Sequence, residues 1–217
     1  MNNAVQNDNV LSAAEQSQLT PDRVIEILKQ GNQEFINNKL TVKNTPERVR
    51  NAAGGQYPAA VILSCLDSRV PVEDIFHCGI GDVFVARVAG NIVNPDMLGS
   101  MEYACKVSGA KLIVVMGHGC CGAIKSAIDD VELGNITGLL AKIKPAVNKS
   151  KTNFGGATNS SNPEFVETVC RANVELTVNK IRKDSPILKA MEDHGEIKII
   201  GAIYDMECGK VEFFETV

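Results

Sequence analysis

Two short apolar stretches, Ala59–Cys65 (AAVILSC) and Lys111–Met116 (KLIVVM), decide the fold of this chain. Each is a nearly continuous run of aliphatic residues, which is typical of a strand that is buried on both faces of a sheet. Two more apolar runs have the same character, at Asp82–Val88 (DVFVARV) and Ile197–Tyr204 (IKIIGAIY). Helical patterns lie between them. The sequence therefore predicts an α/β fold with a mostly parallel central sheet flanked by helices.

Apolar residues at helical spacing predict the helices that connect these strands. The predicted segments are Met97–Val107, Ala123–Val131, Ile136–Val147 and Glu164–Arg182, with a polar loop over Lys151–Pro163.

The two ends of the chain predict a helical arm and an edge hairpin. Thr20-Pro21 is typical of a helix start, with a capping side chain followed by proline, and it predicts an N-terminal helix over residues 21–40. Residues 1–20 are rich in Asn, Gln and Ser and are interpreted as a flexible arm. Near the C-terminus, Cys208-Gly209 predicts a turn into Lys210–Phe214, which would pair with the preceding strand as a hairpin. No repeat or boundary interrupts the pattern, so residues 1–217 are interpreted as a single domain.

Composition excludes several classes of partner. The chain has 217 residues and a formal net charge of -4, which gives no electrostatic reason to expect nucleic acid or an anionic membrane as partner. No stretch approaches the ~20 apolar residues of a spanning helix, and no secretory signal is recognised. The seven cysteines are an odd number, and two are adjacent, which argues against a disulfide framework. These features favour a reducing, cytoplasmic location.

Soft metal ligands follow both of the deciding stretches. The first ends in Cys65-Leu66-Asp67-Ser68-Arg69, and the second leads into His118-Gly119-Cys120-Cys121-Gly122. If the two strands are neighbours, Cys65, His118 and Cys121 converge into a ligand set that suits Zn²⁺ and leaves a fourth position for water. The i,i+3 spacing favours Cys121 over Cys120, which is interpreted as a buried or redox-sensitive bystander. The other cysteines are assigned to the core and the other histidines to surface or structural roles: Cys78, Cys105, Cys170, Cys208, His77 and His194.

Asp67 and Arg69 lie close to this ligand set and allow two arrangements. Asp67 can accept a hydrogen bond from a zinc-bound hydroxide and orient it towards the substrate, or it can bind zinc itself and close the site. An Arg69 pair would keep the Asp67 carboxylate ionised and fix its position. Taken singly, these residues have ordinary explanations, such as a buried cysteine or a surface ion pair. Their combination at two strand ends favours a metal site.

A nucleotide site is a competing interpretation of the second motif. Gly117–Gly122 matches G-x-G-x-x-G after a strand and before a helix. That fingerprint requires an acidic residue about 20 positions later, at the end of the next strand. Here the corresponding region, Gly134–Ile143, has the pattern of a loop and a helix. The sequence therefore disfavours the dinucleotide interpretation.

Together the motifs Cys65-x-Asp67-Ser68-Arg69 and His118-x-x-Cys121-Gly122 resemble the signature of the β-class carbonic anhydrases. Arg87–Asn91 resembles a third segment of that family, although Val88 departs from the usual asparagine. The resemblance implies one Zn²⁺ per chain on Cys65, His118 and Cys121, with Asp67 and Arg69 as a catalytic dyad. It also implies reversible hydration of CO2 to bicarbonate and a proton, by zinc-bound hydroxide. The expected assembly is a homodimer or a dimer of dimers.

The same resemblance suggests a substrate pocket. Gln56 matches a glutamine that reaches the substrate across the dimer, Phe84 and Tyr103 match apolar wall positions, and the Gly122 amide lies beside the substrate. Family members that bicarbonate inhibits carry a tryptophan three residues before the first cysteine ligand, where this chain has Ile62. An open zinc site is therefore expected, rather than one closed by Asp67.

Two other functions stay open at this point. A hydrolase of CS2 on the same scaffold would share every motif residue. A non-enzymatic zinc or thiol-redox protein would instead depend on Cys120-Cys121 and would not need Asp67.

Overall fold

The computed structural model describes residues 10–41 and 43–215, and within these ranges five strands form one sheet in the order β2-β1-β3-β4-β5. Strands β1, β2, β3 and β4 are parallel to their neighbours, and β5 pairs antiparallel with β4. The α/β fold and the C-terminal hairpin are thereby confirmed. The strands are β1 (Ala60–Ser64), β2 (Val83–Arg87), β3 (Leu112–His118), β4 (Lys198–Tyr204) and β5 (Val211–Phe214).

Helices connect and cover these strands. The helices are α1 (Ala13–Ser17), α2 (Pro21–Ile36), α3 (Pro46–Ala52), α4 (Val72–Ile75), α5 (Pro95–Glu102), α6 (Gly122–Ile128), α7 (Gly134–Leu140), α8 (Lys144–Asn153), α9 (Pro163–Asp184) and α10 (Pro186–Asp193). A π-helical turn, Tyr103–Val107, continues α5, and a short 3₁₀ turn covers Ala89–Asn91.

Three sequence predictions need correction. The single helix expected over Ile136–Val147 is two helices, α7 and α8, with Pro145 in the first turn of α8, where its missing N–H costs no hydrogen bond. The loop expected over Lys151–Pro163 begins later, because α8 continues to Asn153. Residues 1–20 were predicted to be a flexible arm, but this segment contains the helix α1. The Gln16 side-chain amide of α1 donates to the carbonyls of Pro58 and Ser108. Residues 1–9 of that arm lie outside the described residues.

The sheet is buried on both faces. Along β1, Ile62 packs into a core on one face with Val24 and Leu28 of α2. Leu63 packs on the opposite face with Val178 of α9. All of these side chains are at most 1 % exposed, as expected for a parallel sheet between two helical layers. Among the described residues, no helix is both long enough and apolar enough to cross a bilayer.

The topology creates a crevice at the carboxyl edge of the sheet. From β1 the chain moves to β2 on one side and then returns to β3 on the other. Ligands bind at such a reversal of strand order in open α/β sheets. Ser64 pairs in register with Met116, so the residues that follow β1 and those that end β3 emerge at the same edge.

Candidate metal centre and active site

Cys65, His118 and Cys121 meet in this crevice. Their ligand atoms all lie within 4.8 Å of one another, and the two sulfur atoms are 4.0 Å apart. The three residues are buried, with exposed fractions of 4 %, 1 % and 1 %. A tetrahedral zinc ion with Zn–S bonds of about 2.3 Å separates two sulfurs by about 3.8 Å, so the pair needs little adjustment to hold one.

The His118 ring is oriented for a metal at Nε2. His118 is the last residue of β3, and its Nδ1 lies 2.8 Å from the carbonyl oxygen of Gly119 and 3.1 Å from the sulfur of Met206. Donation from Nδ1 leaves Nε2 without a proton and with a free lone pair. Among the described residues, this buried Nε2 has no hydrogen-bond partner. A buried imidazole nitrogen with a free lone pair and no hydrogen-bond partner can serve as a metal ligand.

The neighbouring thiols of Cys65 and Cys121 shift each other's pKa in opposite directions. A hydrogen bond from Cys121 is the main cause that lowers the pKa of Cys65, although burial opposes it. The same bond and burial raise the pKa of Cys121. The pair therefore keeps one proton while no cation is bound, and a dication would displace it because metal ligation requires thiolates.

Asp67 lies beside the cluster with both oxygens held by Arg69. Oδ1 accepts from the backbone N–H and Nε of Arg69, both at 2.9 Å, and Oδ2 accepts from Nη2 at 2.8 Å. These hydrogen bonds hold the pKa of Asp67 well below its usual range. Oδ2 is also 4.0 Å from Nε2 of His118. The carboxylate is therefore ionised and faces the position where a ligand on the cluster would sit.

Arg87, the last residue of β2, braces the first motif and was missed by the sequence analysis as a site residue. Its guanidinium donates to the carbonyl oxygens of Cys65 at 3.1 Å and Asp67 at 2.6 Å. Three residues later, the N–H of Gly90 lies 3.4 Å from the Cys65 sulfur. Its place in the third resembling segment was the signal that could have found Arg87.

Curated relatives match most of the chain. A family model described as "Carbonic anhydrase" matches residues 60–211. Carbonic anhydrase 2 of Mycobacterium tuberculosis is 33% identical, and the match covers 84% of this chain and 87% of that protein. The carbonic anhydrase of Mycolicibacterium smegmatis is 34% identical over 85% of this chain and 89% of its own length.

Solved structures agree on the class. A tetrameric β-carbonic anhydrase from Sordaria macrospora superposes with a TM-score of 0.70 at 30% identity, over 78% of this chain and 87% of that chain. The chain belongs to the β-class carbonic anhydrases. A β-carbonic anhydrase of Aspergillus fumigatus also has a TM-score of 0.70, at 27% identity, and covers 79% of this chain and 82% of its own. The chain is thus an enzyme of this family.

The pocket residues that the carbonic anhydrase resemblance suggested do not all lie together in one chain. Phe84 and Tyr103 line the same groove, about 820 Å³ in volume, along β2 at the outer edge of the sheet. Gly122 begins α6 directly after Cys121. Gln56 is exposed and precedes β1, so it lies towards the amino edge of the sheet, away from the cluster of its own chain.

The remaining cysteines and histidines mostly follow the predictions. Cys105 and Cys170 are buried, but Cys208 is exposed because it lies in the turn between β4 and β5, which corrects its assignment to the core. Cys120 is not part of the ligand cluster among the described residues. It is exposed, with a left-handed φ of 53°, which corrects the prediction that it could be buried.

The two histidines outside the cluster have different surroundings. His77 is buried, accepts from the Thr41 backbone N–H at 2.9 Å and contacts Glu34 at 2.5 Å, which is a structural role. His194 is on the surface, 3.6 Å from Glu196.

Proposed function

We propose that this chain catalyses the reversible hydration of CO2 to bicarbonate and a proton, with one Zn²⁺ held by Cys65, His118 and Cys121. The observation that carries the proposal is the buried convergence of two sulfurs and an unpartnered imidazole nitrogen, all within 4.8 Å, among the described residues. Membership of the β-class carbonic anhydrases supports the same conclusion.

Zn²⁺ in such a site would act as a Lewis acid that lets water lose a proton near neutral pH. The protein residues determine where that water sits. Asp67 Oδ2 would accept a hydrogen bond from that water and so orient it towards CO2. Arg69 keeps Asp67 ionised through three hydrogen bonds. Asp67 and Arg69 are thus the proposed catalytic dyad.

The Asp67–Arg69 pair also supports an open site. Both Asp67 oxygens already accept hydrogen bonds from Arg69, so binding of the carboxylate to the metal would break part of a bidentate pair. Ile62, in the middle of β1, is fully buried where the inhibited members carry tryptophan. We therefore propose that the fourth position is available to water at neutral pH.

The substrate pocket is proposed to form between two copies of the chain. CO2 is small and apolar and requires an apolar wall with few donors. Phe84 and Tyr103 supply such a wall at the β2 edge, and Tyr103 is 52% exposed in the single chain. Gln56 of a second copy and the Gly122 amide would supply donors. A homodimer, or a dimer of dimers, is therefore part of the proposal; the Sordaria macrospora relative is described as tetrameric.

Stopped-flow CO2 hydration by zinc-replete protein, scanned from about pH 7 to about pH 9, tests this function. We expect activity already near neutral pH. Activity that begins only at alkaline pH would contradict the open site, because it would indicate that Asp67 binds the metal. Absence of activity across the range, with zinc bound, would contradict the proposed reaction, and CS2 would then be assayed.

A further inference from the structure

A buried asparagine of helix α9 is connected by hydrogen bonds to the cluster of proposed metal ligands. Asn173 is 3% exposed, and its Nδ2 donates to the carbonyl oxygen of Gly90 at 2.8 Å. The N–H of the same Gly90 lies 3.4 Å from the Cys65 sulfur. One residue therefore connects a side chain of α9 to a metal ligand.

Gly90 lies in a turn with an unusual backbone conformation. Its φ is 67°, and the next residue, Asn91, also has a left-handed φ of 42°. Residues other than glycine seldom adopt a left-handed φ, so two such residues in succession are uncommon. A Cβ on Gly90 would lie 2.6 Å from Cδ1 of Ile143, so neighbouring side chains confine the turn from one side. The hydrogen bond from Asn173 fixes the carbonyl of Gly90 within that turn.

A hydrogen bond to sulfur changes how the sulfur binds a metal. An N–H donated to a thiolate stabilises its charge, orients its lone pairs and reduces the electron density that it donates to the ion. Loss of this bond changes both the affinity of the site and the energy of the metal–sulfur bond. The position of the Gly90 amide therefore matters beyond the packing of the turn.

We propose that Asn173 is a positioning residue of the metal centre. It holds Gly90 so that the Gly90 N–H stays directed at the Cys65 sulfur, and it thereby sets the zinc affinity and the donor strength of Cys65. This inference rests on the proposed zinc site. Asn173 acts through Gly90 and touches neither the ligand atoms nor the substrate.

Asn173→Ala tests the inference by two readouts other than turnover. Zinc affinity is measured by competition with a chromophoric chelator, and the sulfur-to-metal charge-transfer band is measured after loading with Co²⁺. We expect zinc binding to weaken by about 10-fold to 100-fold, the usual effect of removing a group that orients a ligand. The cobalt band should shift as well, because the Cys65 sulfur has lost its hydrogen bond.

Asn32→Ala is the matched control. Asn32 is also a buried helical asparagine, 2% exposed, and it donates to the carbonyls of Ile75 and Gly209 at 3.2 Å and 2.9 Å. Its removal should lower the thermal midpoint but leave zinc affinity and the cobalt band as in the wild type. A general loss of stability would affect both variants in the same way.

Asn173→Leu keeps most of the side-chain volume and provides a second variant if the alanine variant does not fold. The inference is overturned if the folded variant binds zinc as tightly as the wild type and shows the same cobalt band. It is also overturned, together with the proposed zinc site, if the wild-type protein shows no sulfur-to-cobalt band.

Discussion

Replacing Asp67 with asparagine keeps the shape of the side chain but exchanges an acceptor for a donor. Oδ1 of Asp67 accepts two hydrogen bonds from Arg69, and Oδ2 accepts one. Asparagine has a single acceptor oxygen, and the two bonds at the Oδ1 position would hold it there. Its NH2 group would then take the position of Oδ2, 4.0 Å from Nε2 of His118. The variant would thus present a donor where the proposed reaction needs an acceptor.

The expected magnitude follows from the role of that acceptor. A positioned proton acceptor contributes about 10²-fold to 10⁴-fold in rate, so we expect kcat of Asp67→Asn to fall by about 100-fold or more. This corresponds to about 2.7 kcal/mol in the activation free energy. Zinc content should be unchanged, because the cluster does not include Asp67. Stopped-flow CO2 hydration measures the rate, and atomic absorption measures the zinc.

Asp82→Asn makes the same change in a second Asp–Arg pair. Asp82 lies just before β2, at the opposite edge of the sheet, and accepts from the buried Arg48 at 2.6 Å. This variant should lose about 3 kcal/mol of stability, because a buried guanidinium loses a charged partner. Its kcat per folded molecule should match the wild type. If zinc-loaded Asp67→Asn instead retains kcat within about threefold of the wild type, the proposed role of Asp67 is refuted.

Three further variants test the site and the fold. Cys65→Ser should lose zinc, measured by atomic absorption, because a hydroxyl is a far weaker ligand than a thiolate; retained zinc would contradict the ligand assignment. Partial burial raises the pKa of Glu34, but hydrogen bonds and nearby positive charge outweigh it and lower that pKa. The ionised Glu34 therefore stabilises the fold above its unfolded pKa of about 4.3 and loses this effect as the pH falls. Glu34→Gln should lower the free energy of unfolding by about 1 kcal/mol at about pH 7 and much less near pH 3, measured with urea; a pH-independent difference would contradict the stabilising role of the ionised carboxylate. Gly31→Ala places a Cβ 1.9 Å from the Phe76 carbonyl oxygen and should cost about 3 kcal/mol in the same assay, and a neutral result would contradict this close packing.

The sequence located the ligand cluster because its signals are local. Cys65 directly follows the apolar strand β1, and the segment His118–Cys121 begins at the last residue of the apolar strand β3. Parallel pairing brings the ends of such strands together without further information. Asn173 gave no such signal, and Arg87 gave only its place in the third resembling segment, because the partners of both side chains are backbone groups of distant residues. A backbone carbonyl has the same chemistry at every position, so only the tertiary fold shows which one is contacted.

The short helices were missed although the sequence marks their starts. Thr45-Pro46 and Ser185-Pro186 begin α3 and α10 with the same pattern of capping hydroxyl and proline that correctly predicted the start of α2 at Thr20-Pro21. The predicted end of that helix, residue 40, was wrong, because α2 ends at Ile36. In α3 and α10 the apolar periodicity is too short to be recognised on its own. The cap with a following proline is therefore the more informative signal in this chain.

The single domain and the cytoplasmic location stay predictions.

The position of the proposed ligands at the ends of β1 and β3 also bears on how the protein folds. The two strands pair side by side, but α4, β2 and α5 lie between them in the sequence. Parallel pairing over such a separation closes a long loop and is a slow step of folding. A cation that needs both strand ends has no site until this step is complete. The proposed zinc site would therefore form late in folding, and until then Cys65 and Cys121 would be ordinary thiols, exposed to oxidants or to competing soft metals.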